Sequence, residues 1–456
     1  MKLQFKETEI LRVKRKFLIY IYIIEDGFRV CHFRGVLTEV TAERSRERLE
    51  ISQLNLLSIK PGAFKNLLIK SLSFADRNHI STLQPGAFSG LSKLKRLHLD
   101  SNAVTLVPNL FQELGNLESL SIIFNHINNI PAGTFHGLSK LTFLYLDEND
   151  ISTINVNSFS GLPKLLYLHL SNNKIASITP ASLAHLDELN ILYLNYNQIT
   201  EITPDTFNGL TKLEGLYLKE NSLTSIPQEA FRALPALERL HLSNNKITTL
   251  HSNAFTGLSK LEILRLTGNN INIIPVGTFN GLSKLSELYL DQNNVSITTP
   301  NTFTGLSLLH LFLNRNKLAS IVPGYFAGLN ELRSLHLGYN NLREMRTNTF
   351  NGLNKLKYLN LNDNKIGTIH AGVFKRLKKL TELNLENNVI SDIGPGAFKG
   401  LLALKTINLN NNKIVTLPNN LFYGLTQLVD VYMLNNYMTK FNKAELQLPY
   451  SARIHR

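Results

Sequence analysis

The 456-residue chain contains one cysteine, Cys31, no tryptophan and four methionines. A single thiol permits no internal disulfide and no cysteine cluster for zinc or iron–sulfur. It leaves the redox compartment open, because a large core needs no covalent staple. Long apolar runs are missing too. Nothing approaches the roughly 18–20 residues of a membrane-crossing helix, so no membrane span is expected. There is no phosphate-cradling glycine loop, no G-x-S-x-G elbow, no H-E-x-x-H helix and no zinc-ligand spacing. The expectation is a chain that is not an enzyme, with no catalytic residues, no cofactor and no metal.

What is present is basic and apolar in the proportions of a folded chain. Lys and Arg number 48 against 34 Asp and Glu, a formal charge of +14, with 43% hydrophobic residues. Such a charge favours encounters with polyanions and says nothing of fold. Near the start, Lys14, Arg15 and Lys16 precede the apolar run from Phe17 to Ile24, the order of a secretory signal. The run is short, no small-residue cleavage site follows it, and Glu25 and Asp26 come at once.

Self-similarity dominates the rest. The pattern L-x-x-L-x-L-x-x-N recurs with its asparagine at positions from Asn102 to Asn436, at intervals of 24 residues except for two of 23. A phenylalanine column runs in phase with it from Phe64 to Phe422, broken once by Leu183. Two irregular units precede the first regular one, about Leu49–Ile59 and Ile69–Asn78, with Leu57 taken as the residue at the asparagine place in the first. Repeats of this length are supersecondary units that bury a shared core by stacking. Three regions are expected: an N-terminal segment over 1–48 with signal-like and cap-like features, a solenoid over 49–437, and a C-terminal tail over 438–456.

Each unit implies a short strand. In Leu165, Leu168 and Leu170 the spacing sends Leu168 and Leu170 to one face and Tyr167 and His169 to the other. After the strand the chain turns, and an asparagine amide such as that of Asn173 is suited to bond backbone groups the turn leaves unpaired. Strands repeat about every 4.8 Å while the phenylalanine backs need more room, so the stack is expected to bend with its parallel sheet inside.

These columns resemble the leucine-rich-repeat family, in its typical 24-residue subtype. The segment from Leu237 to Leu258, LERLHLSNNKITTLHSNAFTGL, carries the subtype pattern throughout. The resemblance implies an α/β-type solenoid: a curved horseshoe with a parallel sheet of about seventeen short strands on the concave face and a mostly irregular or short-helical convex side. It implies recognition, adhesion or a receptor-like role outside the cell or at its surface, as in Toll-like receptor ectodomains, Slit-like proteins and chondroadherin-like matrix proteins. The cysteine-rich caps of many secreted relatives are missing. Alternatives are a matrix component binding acidic glycans, or a cytoplasmic scaffold.

One outward position between the second and third leucines reads Tyr145, His169, Tyr193, Tyr217, His241, Arg265, Tyr289, Phe312 and His336. Tyrosine and arginine bring large contact area with polar tips at low entropic cost, so this stripe is the candidate site for a protein ligand. Aromatic neighbours also stabilise adjacent strands by themselves, by ~0.2–1 kcal/mol per pair. Glu214, Glu238, Glu262 and Glu287 lie beside the stripe with Arg239. The histidines at this position, His98, His169, His241 and His336, stand ~14 Å or more apart by strand spacing, too far for a shared metal, and are read as surface residues.

A lysine column precedes the strands at Lys93, Lys140, Lys164, Lys212, Lys260, Lys284, Lys355 and Lys379, thickened by Lys375, Arg376 and Lys378. It suits acidic glycans with steep salt dependence, or a guard against edge-to-edge association. No specific nucleic-acid partner is expected. Asn294-Val295-Ser296 is the only N-glycosylation sequon.

Overall fold

Leucines two apart on a three-residue strand both point inward, and this local fact builds the molecule. In the computed structural model Leu168, Leu170, Leu192 and Leu194 are fully buried, while the strand residues on either side of Leu168 and Leu192 stay half-exposed. The structure describes residues 21–25, 27–74, 78–438 and 442–456. Lys14, Arg15, Lys16 and the first half of the signal-like apolar run lie outside them.

The chain divides into two compact units, Met1–Asn221 and Ser222–Arg456. The first opens with an antiparallel trio, β1 (Ile21–Glu25), β2 (Phe28–Phe33) and β3 (Val36–Ala42), with a register irregularity at Cys31/His32. Phe28, Val30, Leu37 and Val40 are buried, and β3 pairs parallel with Ser58–Ile59, which joins the trio to the first repeat. Parallel three-residue strands then follow one per repeat, from β4 (Arg48–Glu50) to Gly215–Tyr217. The second unit continues the series from Arg239–His241 to Asp430–Tyr432. Among the described residues the repeats supply seventeen such strands, as the spacing requires.

Two sequence expectations change. The pairing of β4 sets Leu49 opposite Leu72, and Leu72 opposite Leu97, so Leu49 is the middle leucine of its unit. The asparagine place therefore falls on Leu54, five residues on, and Leu57 is instead a back residue, 48% exposed. The degenerate motif offered two registers and only the pairing decides between them. Second, no helix occurs among the described residues. The back consists of turns and two-residue strands, such as Thr153–Ile154 beside Ser177–Ile178 and Thr368–Ile369 beside Asp392–Ile393. Between successive strands such as Tyr167–His169 and Ile191–Tyr193 lie 21 residues, and turns and two-residue strands take up that length.

The asparagines form the expected ladder. The Asn173 Nδ2 donates to the carbonyls of Leu146, Leu170 and Ser171 at 2.9–3.3 Å, and its Oδ1 accepts the Ile151 N–H at 3.0 Å. One buried amide thus satisfies groups in two repeats. The residue before it takes the left-handed conformation that makes the turn, with φ of 55° at Asn172 and 54° at Glu148 before Asn149.

Phenylalanine rings stack along the back. Their centroids lie 5.9–6.4 Å apart from Phe88 to Phe159 and 5.9–6.5 Å apart from Phe231 to Phe422. Rings facing each other on adjacent strands of the same units are only 4.3–5.0 Å apart. Each repeat is therefore a wedge, thicker at the phenylalanine end, and each unit curves with its sheet on the inner, concave side.

Candidate functional site

In the first unit the outward residue of one strand sits directly opposite that of the next: Tyr145 against His169, His169 against Tyr193, Tyr193 against Tyr217. Their ring centroids are 4.5, 4.4 and 4.8 Å apart, with interplanar angles of 34°, 27° and 18°. Strand spacing fixes this distance, because a ring standing upright on each strand meets its neighbour face to face. The faces are used up against one another. Edges and hydroxyls are what the concave surface presents.

The second unit repeats the device with a cation at one end. His241 pairs in register with Arg265, and Arg265 with Tyr289. The Arg265 guanidinium lies 4.1 Å from the Tyr289 ring centre. Tyr289, Phe312 and His336 then stack at 4.4 and 4.5 Å. Tyr289 donates from its hydroxyl to Glu287 Oε2 at 2.7 Å, and Arg239 pairs with Glu238 at 3.3 Å. All nine stripe residues are half-buried on the open face of the sheet.

Stacking changes the electrostatics of the stripe. Burial between rings lowers the His169 imidazole to about 4, and burial with the nearby His310 lowers that of His336 to about 4. Both are neutral at physiological pH. Burial followed by the neighbouring Asp147 raises Tyr145, and burial followed by its bond to Glu287 raises Tyr289. Asp147 is itself pushed up by burial, against the pull of the Ser171 N–H it accepts. His169 and His336, read from the sequence as surface residues, lie on the open face of the sheet and are packed there against rings on both sides.

Several residues belong with the stripe that the column alone did not single out. Phe143 and Tyr167 stack at 4.8 Å on the neighbouring outward position of the first unit. In the second, Tyr358 packs on His336 at 5.0 Å. Past it the outward position turns polar, with Asn360, Asn384 and Asn408 side by side. The tail adds one more parallel strand, Arg453–His455, with the His455 ring 4.3 Å from Tyr432. Its Arg-Ile-His triad echoes Arg96-Leu97-His98 and Arg239-Leu240-His241, a signal available in the sequence but detached from any leucine motif.

The other candidates are accounted for by position. Among the described residues no group of three or more His, Cys, Asp or Glu is placed to hold a metal ion, and no helix is long and apolar enough to cross a membrane. On the lysine edge Lys212 pairs with Glu188 at 2.6 Å, Lys355 pairs with Glu331, and Lys140 donates to Asn116. Asn294 is half-exposed and Ser296 exposed.

The leucine rich repeat family matches the chain in nine overlapping segments from residue 47 to residue 438. No curated protein sequence matches the chain. Among solved structures, Toll in the Drosophila Toll–Spatzle complex is similar with TM-score 0.72 at 19% identity, over 91% of this chain and 64% of that one. The chain therefore spans less than two thirds of Toll. A leucine-rich-repeat protein of Leptospira interrogans is similar with TM-score 0.63 at 26% identity, over 90% and 95% of the two chains. The plant peptide hormone receptor RGFR1, in complex with RGF2, gives TM-score 0.51 at 20% identity, over 84% and 71%.

Proposed function

The chain belongs to the leucine-rich-repeat family, and from that premise we propose that it is a non-catalytic recognition module which acts outside the cell and holds a protein ligand on the concave face of its parallel sheet. The observation that carries this reading is the preassembled row Tyr145, His169, Tyr193 and Tyr217, with its counterpart from Arg265 to His336. Each ring is held by its neighbours before a ligand arrives, so little of the ~0.5–1.5 kcal/mol ordering cost per side chain is left for binding. Hydroxyls and ring edges then offer donors and a positive rim to the carbonyls and carboxylates of an extended segment. Two proteins that share this fold are found in complexes, Toll with Spatzle and the peptide hormone receptor RGFR1 with RGF2, which supports a binding role.

The test removes chemistry without removing the stack. Wild-type chain is screened for capture against an array of secreted proteins, then compared with Tyr145→Phe/Tyr193→Phe/Tyr217→Phe and with Arg265→Gln. Capture lost in either variant, with melting unchanged, supports the reading; capture indifferent to both sinks it. Release of the expressed chain into the medium with a glycan on Asn294 supports the extracellular setting, and retention in the cytosol points to a scaffold there.

A second reading, a matrix component that holds acidic glycans on its lysine edge, is favoured by one observation. Lys93, Lys164, Lys260, Lys284 and Lys379 are exposed and make no ion pair among the described residues.

A further inference from the structure

The turn before the strand Glu382–Asn384 has an unusual outer surface. Phe374, Leu377 and Leu380 are fully buried, and their spacing of three leaves Lys375, Arg376, Lys378 and Lys379 all exposed. The backbone is pinned at each step, with Leu377 N–H donating to Phe374, Lys378 to Arg376 and Leu380 to Leu377 at 2.9–3.1 Å. Lys399 holds the place of Lys375 one repeat later and is exposed as well. There the two turns touch: a Cβ added at Gly400 would lie 2.7 Å from the Lys375 carbonyl oxygen.

Two lysines of this edge are neutralised by an acid one repeat earlier, Lys212 by Glu188 and Lys355 by Glu331, while unpaired ones such as Lys164 and Lys260 stand one to a turn. At Lys379 the residue one repeat earlier is Lys355, whose glutamate is already engaged. The cations therefore accumulate, and none of the five makes an ion pair among the described residues. We propose that Lys375, Arg376, Lys378, Lys379 and Lys399 form a docking site for a sulfated polysaccharide on the second unit. The site rests on the second reading above and gives it a location.

The chemistry selects the ligand class. Rigid, closely spaced cations attract a polyanion and gain from the counterions it releases. Residues 375–379 and 399–403 contain no aromatic side chain, and Tyr423, exposed at the Lys399 place one repeat later, is a single ring where successive nucleobases need a row of them. Two exposed side chains, Leu402 and Tyr423, are too little apolar surface to enter a bilayer. A sulfated polysaccharide presents dense anions along a chain and needs neither.

The probe is heparin, with the full chain bound across a salt series. Replacing Lys375, Arg376, Lys378 and Lys379 by serine is expected to lower the slope of log affinity against log salt by about 3–4, near one per lost contact. The charge-matched control replaces Lys93, Lys164, Lys260 and Lys284 by serine and is expected to lower it by less than about 1. Equal losses in both variants overturn this site and leave the lysine-edge reading standing. Wild type that fails to bind above ~0.15 M salt overturns both. Double-stranded DNA and phosphatidylserine vesicles are run at the same salt; tighter binding to either, lost with the cluster, overturns the polysaccharide assignment.

Discussion

His169 lies against Tyr193 with ring centroids 4.4 Å apart and planes 27° from parallel. Tyr145 covers the opposite side of the same imidazole at 4.5 Å. A residue type chosen elsewhere for its charge is here a flat neutral spacer, and its titration is tied to the packing of the concave face.

That tie predicts a pH dependence. The folded-state value of His169 is lowered to about 4 by burial, below the ordinary histidine value. As pH falls from about 6.5 towards 4, the unfolded chain takes up a proton that the folded chain refuses, so stability is lost across that window and unaffected above it. His169→Phe keeps a ring and removes the titration. Thermal melts at pH 7 and pH 4.5 should show the variant losing less stability on acidification than wild type, by roughly 1–2 kcal/mol once solvent screening of the part-exposed ring is counted. Identical acid losses in both proteins would contradict the assignment.

A second expectation concerns the ladder. Asn269 donates to Leu242 and Leu266 and accepts from Ile247, all buried. Asn269→Ala leaves those groups unpaired away from water and should cost roughly 2–4 kcal/mol. Asn269→Asp keeps the acceptor for Ile247 but turns a carboxylate on two carbonyls, and should be no better. Amide exchange at Ile247 reports the damage locally, and unchanged protection there would refute it.

Much of this was legible in the chain itself. Leucine alternation, the asparagine interval and the phenylalanine column give the strands, the ladder and the wedge, because each repeats often enough to be checked against itself. The outward stripe was legible as a column. That its rings pack face to face was not, since column order says nothing about ring angles. Leu49 was misplaced by one leucine because this degenerate unit carries Leu54 at the asparagine place and its own Asn55 stands one residue out of phase. Arg453–His455 went unread because a single added strand has no repeat, and its contacts with Asp430 follow no leucine pattern.

The phenylalanine column predicts an asymmetry between truncations. Leu183 already stands in that column, fully buried, where its neighbours carry rings. Phe255→Leu should therefore cost only about 1–1.5 kcal/mol, because the back accommodates the branched shape. Phe255→Ala empties a site stacked on Phe231 and Phe279 at 5.9 and 6.0 Å and should cost about 3–5 kcal/mol. Chemical denaturation separates the two; equal losses would show that ring stacking, not filled volume, holds the back together.

The final strand is held by one carboxylate. Asp430 accepts two bonds from Arg453 at 2.9 Å and one from His455 at 2.8 Å, and Arg453 first, then His455, hold its carboxyl below the usual range. The Met433 N–H donates to the His455 carbonyl at 2.8 Å, so its exchange reports whether the strand is seated. A lowered carboxylate value stabilises above the unfolded carboxylate range and loses that contribution as pH falls through the folded value. Met433 should stay protected at neutral pH, open as the solution is acidified into the carboxylate range, and be open at both pH values in Asp430→Asn. Arg453→Lys should show partial opening, because an ammonium cannot make the two parallel bonds of the guanidinium. Full protection in Asp430→Asn at neutral pH would mean that backbone pairing and the Tyr432–His455 stack seat the strand without the carboxylate.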